Sequence, residues 1–310
     1  MSRAVVAGGA GFIGSTLCER LLLDGHEVIC LDDYSTGSLR NIDRLSRLGP
    51  FTHRDVDVTD PFVIPGPVDV VAHLASPASP RDYARLSIET LKVGSLGTLN
   101  CLELAREKQA RFVLASTSEV YGDPHVHPQP ESYWGNVNPI GPRSMYDEAK
   151  RFAEALTTSY RSRHGTNTGI ARIFNCYGPR MRPNDGRAIP TFIWQALHDE
   201  PLTVAGDGRQ TRSVCYVDDL VAGLVCLIES DAPGPINIGN PEEISMMELA
   251  KRIRAAVGSS SQIELVPLPT DDPKMRCPDI SRAGEVLGWA PTTSMDDGLK
   301  ATISWFRDLI

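Results

Sequence analysis

The chain has 310 residues, 41% apolar and 23% charged, with a formal net charge of -8. This is an ordinary globular composition, large enough for one big core or two lobes. The acidic balance speaks against general nucleic-acid binding, yet leaves local arginines free to hold a small anion.

The longest apolar runs, Ile29 to Leu31 and Val68 to Leu74, are strand-sized, so no membrane span is expected. No signal peptide is expected either, because Met1-Ser2-Arg3 leads directly into the strand-like Ala4-Val5-Val6-Ala7. Cys18, Cys30, Cys101, Cys176, Cys215, Cys226 and Cys277 form no Cys-x-x-Cys pair. The pattern predicts no disulfide framework and no metal site, and it fits a reducing cytoplasm.

The first half alternates apolar strands with amphipathic helices. Residues 4–7, 28–31, 68–74 and 112–115 read as strands; segments from Phe12, Asp82 and Ser144 read as helices. A strand over 169–174 closes this half. The pattern predicts an α/β, Rossmann-type doubly wound parallel sheet. The second half is less regular. It carries an arginine-rich loop (180–187), helices near 191–198, 218–229, 245–257 and 296–309, and a turn at Gly206-Asp207-Gly208. It reads as a smaller C-terminal substrate-binding α/β lobe. The expected division is 1–176, with returning segments about 213–239, against 177–212 and 240–310. Residues 124–142, rich in Pro, Gly and Asn, read as an ordered active-site loop.

Gly8, Gly11 and Gly14 follow the first strand, and Phe12 and Ile13 open the helix. Such glycines permit a tight turn and let backbone N–H groups approach a pyrophosphate. By itself the loop would serve another phosphate equally well; its strand–helix context favours a dinucleotide. Asp32, ending the second strand, would accept from adenosine ribose hydroxyls and repel a 2′-phosphate, favouring NAD over NADP; otherwise it is a turn residue beside Asp33. Asp57 and Val58 are read as ending the next strand and facing the adenine. Leu74, Ala75 and Ser76 follow the strand after that and complete the expected cofactor set.

Tyr146 and Lys150 stand four apart, on one face of a helix. There the ammonium is expected to pull the phenol pKa down from ~10. A phenolate beside a nicotinamide can take an alcohol proton as hydride leaves the carbon. Upstream lies Thr117-Ser118-Glu119. The blander alternatives are a strand-end cap for Thr117 and a structural carboxylate closing the loop to Tyr121 for Glu119.

Longer blocks carry a resemblance: 73–80 (HLASPASP), 115–123 (ASTSEVYGD), 131–143 (ESYWGNVNPIGPR), Arg172-Ile173-Phe174-Asn175 with 177–181 (YGPRM), and Asp271-Asp272-Pro273, Arg276 and Pro278-Asp279-Ile280. Over essentially its full length the chain resembles an extended short-chain dehydrogenase/reductase. Within that group it is similar to the UDP-glucuronic acid decarboxylases, or UDP-xylose synthases. The resemblance implies bound NAD, a UDP-sugar substrate, and a homodimer built through a four-helix bundle, with no nucleic-acid or membrane partner. It implies oxidation at carbon 4, loss of carbon dioxide from the 4-keto acid, reprotonation at carbon 5 and re-reduction by retained NADH.

Under that reading Tyr146 is the base, Lys150 holds the nicotinamide ribose, and Thr117 binds the carbon 4 oxygen. Ser118 and Glu119 handle the sugar and the carbon 5 proton, directly or through water, and Arg276 meets the substrate carboxylate or positions the ring. Ser79, Tyr83, Asn175, Arg187 and Arg212 are the further substrate contacts that the resemblance implies; Arg187 and Arg212 belong, with Arg180, Arg182, Arg209 and Arg276, to a gathering of guanidiniums in the smaller lobe that suits a diphosphate. The related 4,6-dehydratases place an Asp-Glu pair after the threonine, and a serine cannot be that general acid at neutral pH. The 4-epimerases place small neutral residues there. These two remain the alternative enzymes, and a non-catalytic NAD-binding regulator is the alternative of another class.

Three positions depart from the family. Ala205 replaces a usual tyrosine and Thr191 a usual asparagine, which leaves open whether the base is strictly uracil. Gly94 replaces a usual asparagine inside a helix, at a cost of about 1 kcal/mol relative to alanine. For the bundle, Leu91, Leu96, Leu99 and Leu102 on 86–105, with Phe152, Leu156 and Tyr160 on 146–164, are the candidate contacts.

Overall fold

The computed structural model describes residues 2–183, 185–268 and 275–310; the Asp271-Asp272-Pro273 motif lies outside them. Strands β1 (Arg3–Ala7), β2 (Glu27–Asp32), β3 (Phe51–Asp55), β4 (Val70–His73), β5 (Arg111–Thr117) and β6 (Thr168–Ile173) come from the first half. With them run α1 (Phe12–Leu23), α2 (Pro80–Arg85), α3 (Ser87–Lys92), a π-helical turn (Val93–Gly97), α4 (Thr98–Lys108) and α5 (Ser144–His164). The second half holds β7 (Cys176–Tyr177), β8 (Leu202–Ala205), β9 (Thr211–Ser213), β10 (Cys215–Tyr216), β11 (Ile236–Ile238), β12 (Glu243–Ser245) and β13 (Ile263–Val266). Its helices are α6 (Ala188–Leu197), α7 (Val217–Glu229), α8 (Met246–Val257), α9 (Ser281–Leu287) and α10 (Met295–Arg307).

Seven strands form one parallel sheet in the order β3-β2-β1-β4-β5-β6-β11. Alternation along β1 shows why it is central. Ala4 and Val6 enter the core shared with α1 and α7, while Val5 and Ala7 enter the core shared with α4 and α5. A strand apolar on both faces must be covered on both. A third core joins α6, α8 and α10 with β8.

The structure corrects several expectations. β3 ends at Asp55, three residues earlier than read, so Asp57 and Val58 lie just beyond the strand. Helix α6 begins at Ala188 rather than Thr191, with Pro190 tolerated in its first turn. Of the seven apolar contacts expected for the bundle, Leu102 and Tyr160 are buried under the sheet, and Leu99 and Leu156 pack against the same core. Only Leu91, Leu96 and Phe152 stay exposed, joined by Ile88, which the sequence reading did not include.

Gly94 now has a physical account. It sits in the π-helical turn, where a Cβ would stand 2.6 Å from the Cβ of Ala149 on α5. Ala149 lies between Tyr146 and Lys150, so this close approach sets the depth at which α5 packs. In Gly94→Ala, overpacking of roughly 1–3 kcal/mol opposes a helix-propensity gain of about 1 kcal/mol. The variant is expected to melt below the parent, because the added Cβ would also meet the Ala149 backbone oxygen at 2.9 Å. An unchanged melting temperature would show that the contact yields without cost.

Candidate active site

Gly8, Asp32, Leu74 and Thr117 stand at or just past the carboxyl ends of β1, β2, β4 and β5, the end at which open α/β sheets bind ligands. Gly8 follows β1 with a positive φ of 79°, and a Cβ there would lie 2.6 Å from the backbone nitrogen of Ala75. Only a glycine lets those two strand ends stand so close. Gly11 caps α1, and Gly14 packs that helix onto the Gly8 backbone. Asp32 is buried; its two oxygens accept from the backbone nitrogens of Ala10 and Tyr34, both at 2.9 Å. Each oxygen retains a lone pair. A groove runs between these parts, lined by Gly8, Gly11, Asp32, Asp57, Val58, Leu74, Ala75 and Ser76. Ser35, Thr36 and Lys92 also line it and were missed; Ser35-Thr36 directly after the acidic pair was the available signal. A glycine cradle, a carboxylate at the far end and a groove between them fit a dinucleotide.

Beyond the groove, Tyr146 and Lys150 are both buried on α5, and Thr117 ends β5. The Thr117 hydroxyl hydrogen-bonds the Tyr146 phenol and also accepts from the Glu119 backbone nitrogen at 3.2 Å. It is therefore both the strand-end cap and a neighbour of the phenol. The Lys150 ammonium donates to the Ala115 carbonyl at 2.9 Å and stands 5.9 Å from the Tyr146 ring centre. Burial lowers its pKa to about 8. The expected lowering of the Tyr146 phenol is not found. Burial pushes it up, and the Thr117 hydrogen bond and the Arg187 charge only partly offset that. Lys150 spends its ammonium on a backbone carbonyl instead.

Glu119 is the electrostatic centre. Arg276 grips both its oxygens, one at 2.8 Å, and the Arg143 guanidinium reaches it at 2.6 Å. Burial alone would push this carboxyl up, but the two guanidiniums outweigh it and hold the pKa at about 2. Arg143 was missed as a site residue, although it ends the 131–143 block. The Arg276 fork faces Glu119, so the expected direct meeting with a substrate carboxylate is not its resting arrangement. Asp147 was missed too. It is buried, its Oδ1 has no hydrogen-bond partner, and burial and then the Glu119 charge raise its pKa to about 7 despite Arg143 and Arg276. Ser118 is buried in the turn between Thr117 and Glu119.

Tyr83 stacks on Tyr146 with ring centres 5.2 Å apart. Ser79 caps α2 and donates to Asp82 at 2.6 Å, and Arg182 from the second half pairs with the same Asp82. Arg187 caps α6 beside Asp185, close enough for its charge to act on Tyr146. Asn175 uses its carbonyl to accept from Cys215. Arg212 lies on β9 and donates to the Thr211 carbonyl at 2.8 Å. Arg180 pairs with Glu19, and Arg209 is an exposed turn residue. Of the six arginines grouped in the sequence, Arg276 meets Glu119 directly and Arg187 lies close enough to act on Tyr146.

Comparison with known proteins matches residues 4–239 to the NAD dependent epimerase/dehydratase family. The chain belongs to that family. Its cofactor is NAD. UDP-glucuronic acid decarboxylase 1 of Xenopus tropicalis is 50% identical over 305 residues, 98% of this chain and 72% of the relative. UDP-glucuronic acid decarboxylase 5 of Arabidopsis thaliana is 51% identical over 306 residues, 98% of this chain and 89% of the relative. Among solved structures, the UDP-glucuronic acid 4-epimerase of Bacillus cereus, in complex with UDP-glucuronic acid and NAD, superposes with a TM-score of 0.87 at 30% identity, covering 99% of this chain and 100% of the other. No helix among the described residues is long and apolar enough to cross a membrane.

In this family member Asp147 has a measurable signature. Its pKa is raised on folding, so the native state binds a proton that the unfolded state releases between about pH 4 and pH 7. Its presence therefore weakens the fold as pH rises through that window. Asp147→Asn is expected to gain melting temperature over the parent progressively from pH 5 to pH 8. A constant difference across that range would show that Asp147 is ionised throughout.

Proposed function

We propose that the protein converts UDP-glucuronic acid to UDP-xylose by NAD-dependent decarboxylation. The observation that carries this reading is Glu119 held between Arg276 and Arg143. Two guanidiniums against one ionised carboxylate leave a buried positive charge, which suits a sugar bearing its own carboxylate. A neutral hexose would leave that charge uncompensated. Support also comes from relatives about half identical over nearly the whole chain, named as UDP-glucuronic acid decarboxylases.

Bound NAD would supply a hydride acceptor for carbon 4 and a donor that restores it, and its cationic nicotinamide would lower the phenol pKa that burial raises. Tyr146 can then take the carbon 4 hydroxyl proton, and Thr117 hydrogen-bonds the same oxygen. Lys150, anchored on Ala115, binds the nicotinamide ribose. With the ketone β to the carboxylate, carbon dioxide departs and the carbonyl takes the electron pair. Glu119, held at about 2, carries no proton at neutral pH. It therefore acts as an acceptor that orients a water towards carbon 5 rather than as the acid itself, with Ser118 beside it. Asp32 sets NAD over NADP; Ser79, Tyr83 and Asn175 from residues 1–176, with Arg187 and Arg212 from the lobe of residues 177–212 and 240–310, hold the sugar and diphosphate. Two copies pair through Ile88, Leu91, Leu96 and Phe152.

A uronate 4-epimerase is the second reading, because such an enzyme superposes closely. Turnover in deuterium oxide separates the two. Decarboxylation places one deuterium on carbon 5 of the product, while epimerisation leaves carbon 5 unlabelled. Glu119→Gln is expected to keep NAD bound and lose about 100-fold or more in kcat; parental turnover would remove Glu119 from the chemistry. For the subunit contact, Phe152→Glu is expected to halve the mass measured by light scattering, and an unchanged mass would place the contact elsewhere.

A further inference from the structure

We propose that His127, Glu243 and Cys277 form a binding site for a zinc-class divalent cation, and that filling it slows turnover through the adjoining Arg276. The ligand atoms of the three residues lie within 4.8 Å of one another. The His127 Nε2 and a Glu243 oxygen are 2.9 Å apart, and the Cys277 Sγ donates to the Pro241 carbonyl at 3.2 Å. No spacing along the chain announces this set, because the fold collects it from three distant segments.

Thiolate, imidazole and carboxylate together suit zinc or cobalt, whereas magnesium and calcium take all-oxygen sets. The supporting shell is in place. Thr211 donates to the other Glu243 oxygen at 2.6 Å, fixing the carboxylate. Gln129 laces the His127 loop to the Cys277 segment: its side chain accepts from the Cys277 nitrogen and its own nitrogen donates to the Cys277 carbonyl, both at 2.9 Å. His127 and Glu243 are each about a third exposed, at 31% and 29%, which gives a cation access and leaves a fourth position to solvent. Binding is not a redox step. The thiol proton leaves to solvent, the Nε2 proton is given up with Nδ1 taking one from solvent, and the imidazole–carboxylate hydrogen bond is exchanged for two metal bonds.

The link to Arg276 is short. Arg276 precedes Cys277, and its carbonyl accepts from the Ser213 nitrogen at 3.2 Å and hydroxyl at 2.9 Å. Ser213 in turn pairs with Glu243 across β9 and β12. Two of the three ligands thus flank the backbone that aims Arg276 at Glu119. Tetrahedral zinc needs its ligand atoms roughly 3.5 Å apart. Drawing Cys277 inward shifts the guanidinium next door, and misplacements of ~1 Å at such a site cost about 100-fold.

The binding claim is independent of the proposed reaction, and cobalt reads it directly. Titrating Co2+ into NAD-loaded protein is expected to give a one-to-one thiolate-to-cobalt charge-transfer band that Zn2+ displaces. Cys277→Ser is expected to lose the band, and His127→Ala to weaken cobalt binding at least tenfold. Stoichiometric Zn2+ is expected to lower parental turnover about tenfold, reversibly with a chelator, and to leave Cys277→Ser unaffected. No band, or a band that survives in Cys277→Ser, overturns the site. A band with undiminished turnover, or equal inhibition of Cys277→Ser, overturns the link to Arg276.

Discussion

A carboxylate buried between two guanidiniums organises this molecule. Glu119 is largely withdrawn from water, with 12% of its side chain exposed, and burying a lone carboxylate would ordinarily force it to take up a proton. Arg276 and Arg143 prevent that. The three residues come from the turn after β5, from the loop before α5 and from a segment near residue 276 of the second half. The clamp therefore ties the NAD-binding sheet to the second half at the point where a sugar would sit. Removing both guanidiniums would leave the carboxylate without a partner, and an unpaired buried charge is strongly destabilising.

That clamp also explains the charges around it. Asp147 stands beside an ionised carboxylate and cannot readily ionise as well, so it keeps its proton to near neutrality. Tyr146 feels burial and the Glu119 charge, and its phenol is pushed up rather than down. Arg276 and Arg143 are occupied in the resting site, so a uronate entering it shares guanidiniums already aimed and desolvated. The clamp is thus both a structural tie and, in the proposed reaction, a preorganised receptor for negative charge.

Much of this was legible in the sequence because local chemistry dictates it. Gly8, Gly11 and Gly14 could only be a tight strand–helix turn, and the comparisons place the chain in a family that uses NAD. The Tyr146–Lys150 spacing fixed their shared helix and face. What the sequence hid depends on contacts between distant segments. Nothing local shows that Gly94 makes room for Ala149, that Lys150 will prefer the Ala115 carbonyl to the phenol, or that Arg143 will share Glu119 with Arg276. Leu102 and Tyr160 have the same apolar spacing as Leu91 and Phe152, and only the packing shows which pair faces the sheet. Arg180 and Arg182 read only as members of an arginine gathering, and the fold shows them paired with Glu19 and Asp82.

Product analysis by mass spectrometry tests the central claim most directly, with purified NAD-loaded protein given UDP-glucuronic acid. The account predicts a UDP-pentose, lighter than the substrate by one carbon dioxide, with no build-up of reduced nicotinamide. An untouched uronate with turnover of a UDP- or dTDP-hexose would contradict it, as would an isomeric uronate of unchanged mass.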